Sequence, residues 1–330
     1  MNLDGKLVLV TGADGFIGSH LVELLAARGC RVRALSYYNS FNHWGWLDEL
    51  ELPSSVEVHT GDIRDPFCCM QLCEGVEVVI HLAALIAIPY SYQAPASYVE
   101  TNVTGSLNLC EAARAAGCSR FVQVSTSEVY GTARYTPMDE AHPLQAQSPY
   151  SASKIGGEAI AMSYYHSFEL PVTVVRPFNT YGPRQSARAV IPAIITQLLA
   201  GKKRIQLGDL RPTRDFSYVT DTCGGIMALA QCEAAVGEVV NLGTGRETSI
   251  GELVKLIGQL MGVEVEVEAD PRRLRPTASE VMRLCSHTGK LQALTGFKAA
   301  VELETGLKST IGWLSQDRHF AKYKAELYNV

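Results

Sequence analysis

A short apolar run, Lys6-Leu-Val-Leu-Val10, leads directly into Thr11-Gly-Ala-Asp-Gly-Phe-Ile-Gly18 and then into the apolar segment Ser19 to Arg28. The order buried strand, glycine-punctuated turn, helix constrains the fold more than any other feature of the chain. Gly12 permits a tight turn, Gly15 lets backbone approach a pyrophosphate, and Gly18 allows close helix packing, with phosphates at the positive end of the helix. The spacing is G-x-x-G-x-x-G rather than G-x-G-x-x-G, and a glycine trio alone also serves ordinary strand-to-helix turns. Its place behind a first strand favours the dinucleotide reading, with Gly12, Asp14, Gly15, Phe16, Ile17 and Gly18 as the contacting residues.

Further strand-like runs follow at Arg31 to Ser36, Val56 to Thr60, Val76 to Leu82, Phe121 to Ser125 and Val172 to Arg176. Helical periodicity fills Gly18 to Arg28, Ala96 to Ala116 and Tyr150 to Phe168. This alternation predicts an α/β fold, a Rossmann-type doubly wound parallel sheet with a smaller C-terminal substrate-binding lobe. Ligands in such sheets gather at the carboxyl ends of strands. The glycine loop, Asp62-Ile63, Leu82-Ala83-Ala84, Ser125 to Glu128 and Pro177-Phe178-Asn179 all fall there. Beyond residue 180 the pattern loosens, while Asn241-Leu-Gly-Thr-Gly245 returns to strand-then-turn character. The expected division is a dinucleotide-binding domain over 1–180 with a return segment near 215–250, and a lobe mainly within 181–330. Ser249 and Glu252 predict a capping box opening a helix to Gly262.

Tyr150 and Lys154 stand four apart, on one helix face, so an ammonium near the phenol would favour the phenolate that accepts an alcohol proton during hydride transfer. The pair is also compatible with an ordinary exposed helical face. Upstream lies Val124-Ser-Thr-Ser-Glu-Val-Tyr-Gly131. Hydride shuttling alone does not need Glu128, but a carboxylate there can remove a C–H proton made acidic by a transient ketone. The combination points to oxidation plus elimination; the alternative for Glu128 is a residue favoured at a helix start by the dipole.

Other features bound the function. A net charge of −5 over 330 residues leaves no electrostatic footprint for nucleic acid or an anionic membrane. Nine cysteines without a C-x-x-C pair suit a reduced cytoplasm, and only Cys68, Cys69 and Cys73 approach ligand spacing, so no metal site is expected. No apolar run reaches the length of a membrane span. His81, in an apolar strand, reads as a hydrogen-bonded core histidine. Trp44 and Trp46 would either cover the site or close a satellite core. Tyr90 and Tyr92, after the Leu82 turn, are candidates to line a sugar pocket.

Taken in order, Gly12/Gly15/Gly18, Thr126-Ser127-Glu128, Tyr150-x3-Lys154, Arg176-Pro-Phe-Asn179-Thr-Tyr-Gly-Pro-Arg184 and Arg214-Asp-Phe-Ser-Tyr-Val219 resemble the extended short-chain dehydrogenase/reductase family, specifically its nucleotide-sugar epimerases, dehydratases and decarboxylases. Thr-Ser-Glu is similar to the 4,6-dehydratases. Tyr37-Tyr-Asn-Ser-Phe41 and Arg184-Gln-Ser-Ala-Arg-Ala-Val-Ile-Pro192 resemble bacterial dehydratases acting on UDP- or GDP-linked N-acetylglucosamine in nonulosonic (legionaminic-type) acid pathways. The resemblance implies catalysis by Thr126, Ser127, Glu128, Tyr150 and Lys154. Ser127 stands where many family dehydratases carry Asp, which leaves the proton donor to the leaving hydroxyl open between Ser127 and Glu128. It further implies cofactor contacts from Ser36, Asp62, Ile63, Leu82, Ala83, Ala84, Tyr150, Lys154 and Pro177, with Lys154 on the nicotinamide ribose, and diphosphate contacts from Asn179, Arg214 and Arg275, with Arg184 and Arg188 as further candidates. Arg214-Asp215 alternatively reads as a surface ion pair. The second strand ends on Ser36, where NAD-binding relatives carry an acid, so NADP stays open, but Tyr37-Tyr38 in place of Arg or Lys favours NAD. A homodimer built from the helices near 96–116 and 150–168 is also implied.

Overall fold

A computed structural model describes residues 1–328. Its centre is a seven-stranded, wholly parallel sheet. In chain order the strands are β1 (Leu7–Thr11), β2 (Arg31–Tyr37), β3 (Val56–Gly61), β4 (Val78–His81), β5 (Arg120–Val124), β6 (Val172–Pro177) and β7 (Val239–Leu242). Their spatial order is β7-β6-β5-β4-β1-β2-β3. The order reverses between β1 and β4, and crevices of doubly wound sheets open at such a switch point.

The helices that matter here are α1 (Phe16–Ala27), α2 (Pro66–Cys73), α3 (Gly105–Ala115), α4 (Pro149–Phe168), α5 (Val190–Leu199), α6 (Val219–Gln231), α7 (Ile250–Met261) and α8 (Leu303–Leu314). They cover both sheet faces: one core joins Val8, Leu21, Val32 and Ile226, and another joins Leu9, Cys73, Leu109 and Ala161. That is why β1 and β5 are buried along their whole length. A separate core gathers α5, α7 and α8 around Ile194, Leu253 and Leu307, with the short parallel pair 204–207 and 266–269 beside it. Ser249 caps α7 by the reciprocal bond with Glu252 that the sequence predicts.

The predicted helix over 96–116 is interrupted: Pro95–Val99 runs into a π-helical turn, Glu100–Thr104, before α3. The wide turn buries Asn102, whose amide donates to Leu85 O and Ser153 Oγ while its oxygen accepts from Leu85 N. One side chain thus ties the segment after β4 to α4.

Candidate active site

A cleft of about 1150 Å³ lies over the carboxyl ends of β1, β4, β5 and β6. At one end sits the glycine loop. Gly12 has φ 67°, and a Cβ there would meet the Ala83 backbone at 2.9 Å; one on Gly18 would lie 2.0 Å from Gly12 O. Neither position tolerates a side chain without displacing backbone. α1 opens at Gly15 with no side-chain cap and no acid in its first turn, so its first amides are available to an anion. Leu82, Ala83, Ala84 and Pro177 form the adjoining wall. This cradle fits a dinucleotide pyrophosphate.

Three expected cofactor contacts are not among the lining residues. Ser36 is fully buried and gives its hydroxyl to Asp14. Asp62 is clasped by Arg64 through both carboxylate oxygens. Ile63 is buried against Gly105 of α3, within the core. Asp14, by contrast, lines the cleft.

The chemistry-bearing groups meet where α4 passes β5. Ser148 caps α4 in a reciprocal bond with Ser151, fixing the cap two residues before Tyr150. Tyr150, Lys154, Thr126 and Glu128 all line the cleft. Tyr150 faces the Thr126 hydroxyl; burial pushes its phenol up, the Thr126 side chain offsets part of this, and the nearby Glu128 charge pushes up again. Lys154 Nζ donates to Val124 O at 2.8 Å rather than to the phenol, and burial lowers its ammonium to about 8. The expected phenolate stabilisation by direct Lys–Tyr proximity is therefore replaced by an ammonium anchored on β5.

Ser127 does not line the cleft. Thr126 caps a 3₁₀ turn over Ser127–Tyr130 by accepting from Glu128 N, and with three residues per turn successive side chains diverge widely. Thr126 and Glu128 face the cleft while Ser127 is buried off it.

On the far side Asn179, Arg184, Arg188 and Arg275 line the cleft. The Asn179 Oδ1 is buried without a partner. Arg184 Nη1 donates to Glu23 at 2.6 Å and to Ser19 Oγ at 3.2 Å, so this guanidinium braces the loop against α1. Arg188 bonds only Ser186 Oγ among the described residues. Arg275 Nη1 lies 3.8 Å from both Glu128 and Glu280. Arg214 is buried behind this pair, 3.6 Å from Glu280, and off the lining. Arg214-Asp215 is no surface ion pair: Asp215 is buried and accepts from Thr244, Gly245 and Ser286 amides. Tyr90 and Tyr92 also lie off the lining, and Ile86, Ile88 and Pro89 take that wall. Tyr92 instead bonds Ser279.

Sequence reasoning missed Glu158. Its carboxylate grips Arg176 at 2.6 and 2.9 Å with both side chains buried, and Arg176 also donates to Tyr130 Oη. The pair fastens α4 to β6. Trp46 lines the cleft and packs edge-on against Trp313, while Trp44 packs on the main core. His81 is buried between Thr11 and Ser106 hydroxyls, and burial lowers it to about 3. Among the described residues no cluster could hold a metal, and no helix is long and apolar enough to cross a membrane.

A parallel sheet in this order with the Tyr, Lys and Thr group over β5 defines an extended short-chain dehydrogenase/reductase. Residues 9–310 match the family model described as GDP-mannose 4,6 dehydratase, and the chain belongs to that family. The dTDP-glucose 4,6-dehydratase of Streptomyces griseus is 35% identical over 321 residues, covering 94% of both chains. The crystal structure of DesIV, a dTDP-glucose 4,6-dehydratase from Streptomyces venezuelae with NAD and TYD bound, superposes with a TM-score of 0.87 at 31% identity, over 97% of this chain and 99% of that one. A UDP-N-acetylglucosamine 4-epimerase from Methanobrevibacter ruminantium M1, in complex with UDP-N-acetylmuramic acid, reaches a TM-score of 0.85 at 28% identity, over 94% and 98%. The chain is thus an enzyme of dehydratase or epimerase type acting on nucleotide sugars.

Proposed function

We propose that the protein is a nucleotide-sugar 4,6-dehydratase that uses NAD and takes UDP- or GDP-linked N-acetylglucosamine. The observation that carries this reading is the entry of Glu128 into the cleft that holds Tyr150. NAD at the glycine loop would supply hydride acceptance from C4 and its return at C6. Tyr150 accepts the proton of the 4-hydroxyl, and Thr126, beside the phenol in the same cleft, steadies that oxygen. Lys154, held on Val124 O, keeps a positive charge beneath this proton path. The resulting ketone acidifies C5–H. Glu128 removes that proton and delivers it to the departing 6-hydroxyl, which leaves as water. With Ser127 off the lining, Glu128 performs both transfers. Asn179, Arg188 and Arg275 hold the diphosphate, where guanidinium groups match phosphate oxygens. Once C6 is reduced, C5 would take up one proton, balancing the one that Tyr150 accepted from the 4-hydroxyl, and the product is the 4-keto-6-deoxy sugar nucleotide.

Epimerisation at C4 is the second reading, supported by the likeness to a 4-epimerase, and it needs Tyr150 but not Glu128. A decarboxylase would need a cation for a C6 carboxylate, and Arg275 already faces two acids. Incubation with UDP- and GDP-N-acetylglucosamine, followed by mass and proton NMR, decides. Loss of one water supports dehydration; unchanged mass with an inverted C4 signal overturns it in favour of epimerisation. The nine free thiols suit a reducing cytoplasm. Exposed Val99 and Leu107, on the helical stretch that leads through α3, support a homodimer there, which sedimentation tests.

A further inference from the structure

Proteins of this fold that prefer NAD place an acid at the end of β2 for the adenosine 2′-hydroxyl, about 20 residues beyond the glycine loop. Here the residue next to last in β2 is Ser36, which carries no acid and is fully buried. The glycine loop itself supplies a carboxylate at the same place. Asp14 Oδ2 accepts from Tyr37 N at 3.2 Å and from Ser36 Oγ at 3.4 Å, which fixes the side chain across the carboxyl end of β2. Both tethers end on Oδ2, so the second oxygen lies outside them. Asp14 lines the cleft between Gly12 and Gly15. The loop after β2 locks this placement, since Trp46 N donates to Asp14 O and a Cβ on Gly45 would lie 2.4 Å from that same oxygen.

We propose that Asp14 is the residue that selects NAD over NADP, doing from the glycine loop what an acid on β2 does elsewhere in this fold. The inference rests on the NAD reading given above. An Asp14 carboxylate can accept the 2′-hydroxyl, whereas a 2′-phosphate would bring a second anion against a partly buried negative group. The guanidinium that reaches this end of β2 gives no relief. Arg64 donates to Tyr37 Oη, but it is clasped by both Asp62 oxygens and lies 3.8 Å from Glu100. Ser36 thus acts as a positioning residue that orients Asp14.

Calorimetric titration of cofactor-stripped protein with NAD and with NADP tests this directly, without turnover. The wild type is expected to bind NAD at least tenfold more tightly than NADP. Asp14→Asn keeps an acceptor for Tyr37 N yet removes the charge, and it should shrink that ratio tenfold or more, chiefly by tightening NADP. Ser36→Ala should shrink it less. A ratio unchanged in Asp14→Asn overturns the proposal, as does equal weakening of both cofactors, which marks a purely structural role. A wild type that prefers NADP overturns it as well. A wild type that binds neither dinucleotide refutes the underlying NAD reading instead, so the two failures are distinguishable.

Discussion

The Arg275 guanidinium faces the Glu128 carboxylate at 3.8 Å and Glu280 at the same distance, yet its Nη1 makes no hydrogen bond. Charge holds this arginine at the cleft while its donors stay uncommitted, an arrangement suited to receiving phosphate oxygens. Arg275→Ala should raise KM for the nucleotide sugar by about tenfold or more, the worth of one or two charge-assisted bonds. Cofactor affinity should not change. Steady-state kinetics beside a cofactor titration check both halves; an unaltered KM removes Arg275 from the diphosphate site.

Glu128→Gln separates the two halves of the reaction. The variant should still reduce its cofactor when substrate is added, because Tyr150 and Thr126 are untouched, but product should fall by about 10²–10⁴-fold. Nicotinamide absorbance and product mass in a single turnover report the two steps. Dehydration at the parental rate refutes the role given to this carboxylate.

Glu158→Gln leaves the buried Arg176 charge without its partner. Breaking such a pair costs about 3–5 kcal/mol. Burial opposes the Arg176 charge, but the Glu158 bonds outweigh it and raise the guanidinium above its usual range, so the loss falls on a committed cation. The urea midpoint should drop accordingly. Because the pair ties α4 to β6, the turnover rate should fall too, even at temperatures where the variant remains folded.

Acid should weaken the fold through its buried imidazoles. His81 is lowered from 6.5 to about 3, and His20 from 6.5 to about 4, both first by burial. The unfolded chain takes up these protons first, so their contribution is complete above pH 6.5. It is lost as pH falls from there toward 3 to 4, at about 1.4 kcal/mol per unit for each group. Urea unfolding between pH 7 and 5 should show this slope, and His81→Asn should flatten it. A slope unchanged in that variant would show that His81 does not drive the effect.

The sheet and the α4 helix were legible because their causes are local. Leu7 to Val10 is apolar throughout, since both faces of β1 are covered, and Ser249 with Glu252 announces α7 from four residues. The site was legible only where a motif lies on such an element, as with Tyr150 on α4. Ser36 and Asp14 show what was not. Their contact joins positions 22 apart through the loop's fold, and no periodicity reports it. Ser127 misled because a 3₁₀ turn and a strand end distribute the same three letters differently. Glu158 and Asn102 were silent for a related reason: a polar residue within a helix looks solvated until its neighbours arrive.

Arg184 sits at φ 70° in the loop after β6 and reaches back to Glu23 and Ser19 on α1, while His20 of the same helix bonds Pro183 O. The wall on the sugar side is therefore latched to the very helix whose first turn faces the dinucleotide. A shift of that loop would have to carry α1 with it, so the two sides of the cleft are held at one spacing.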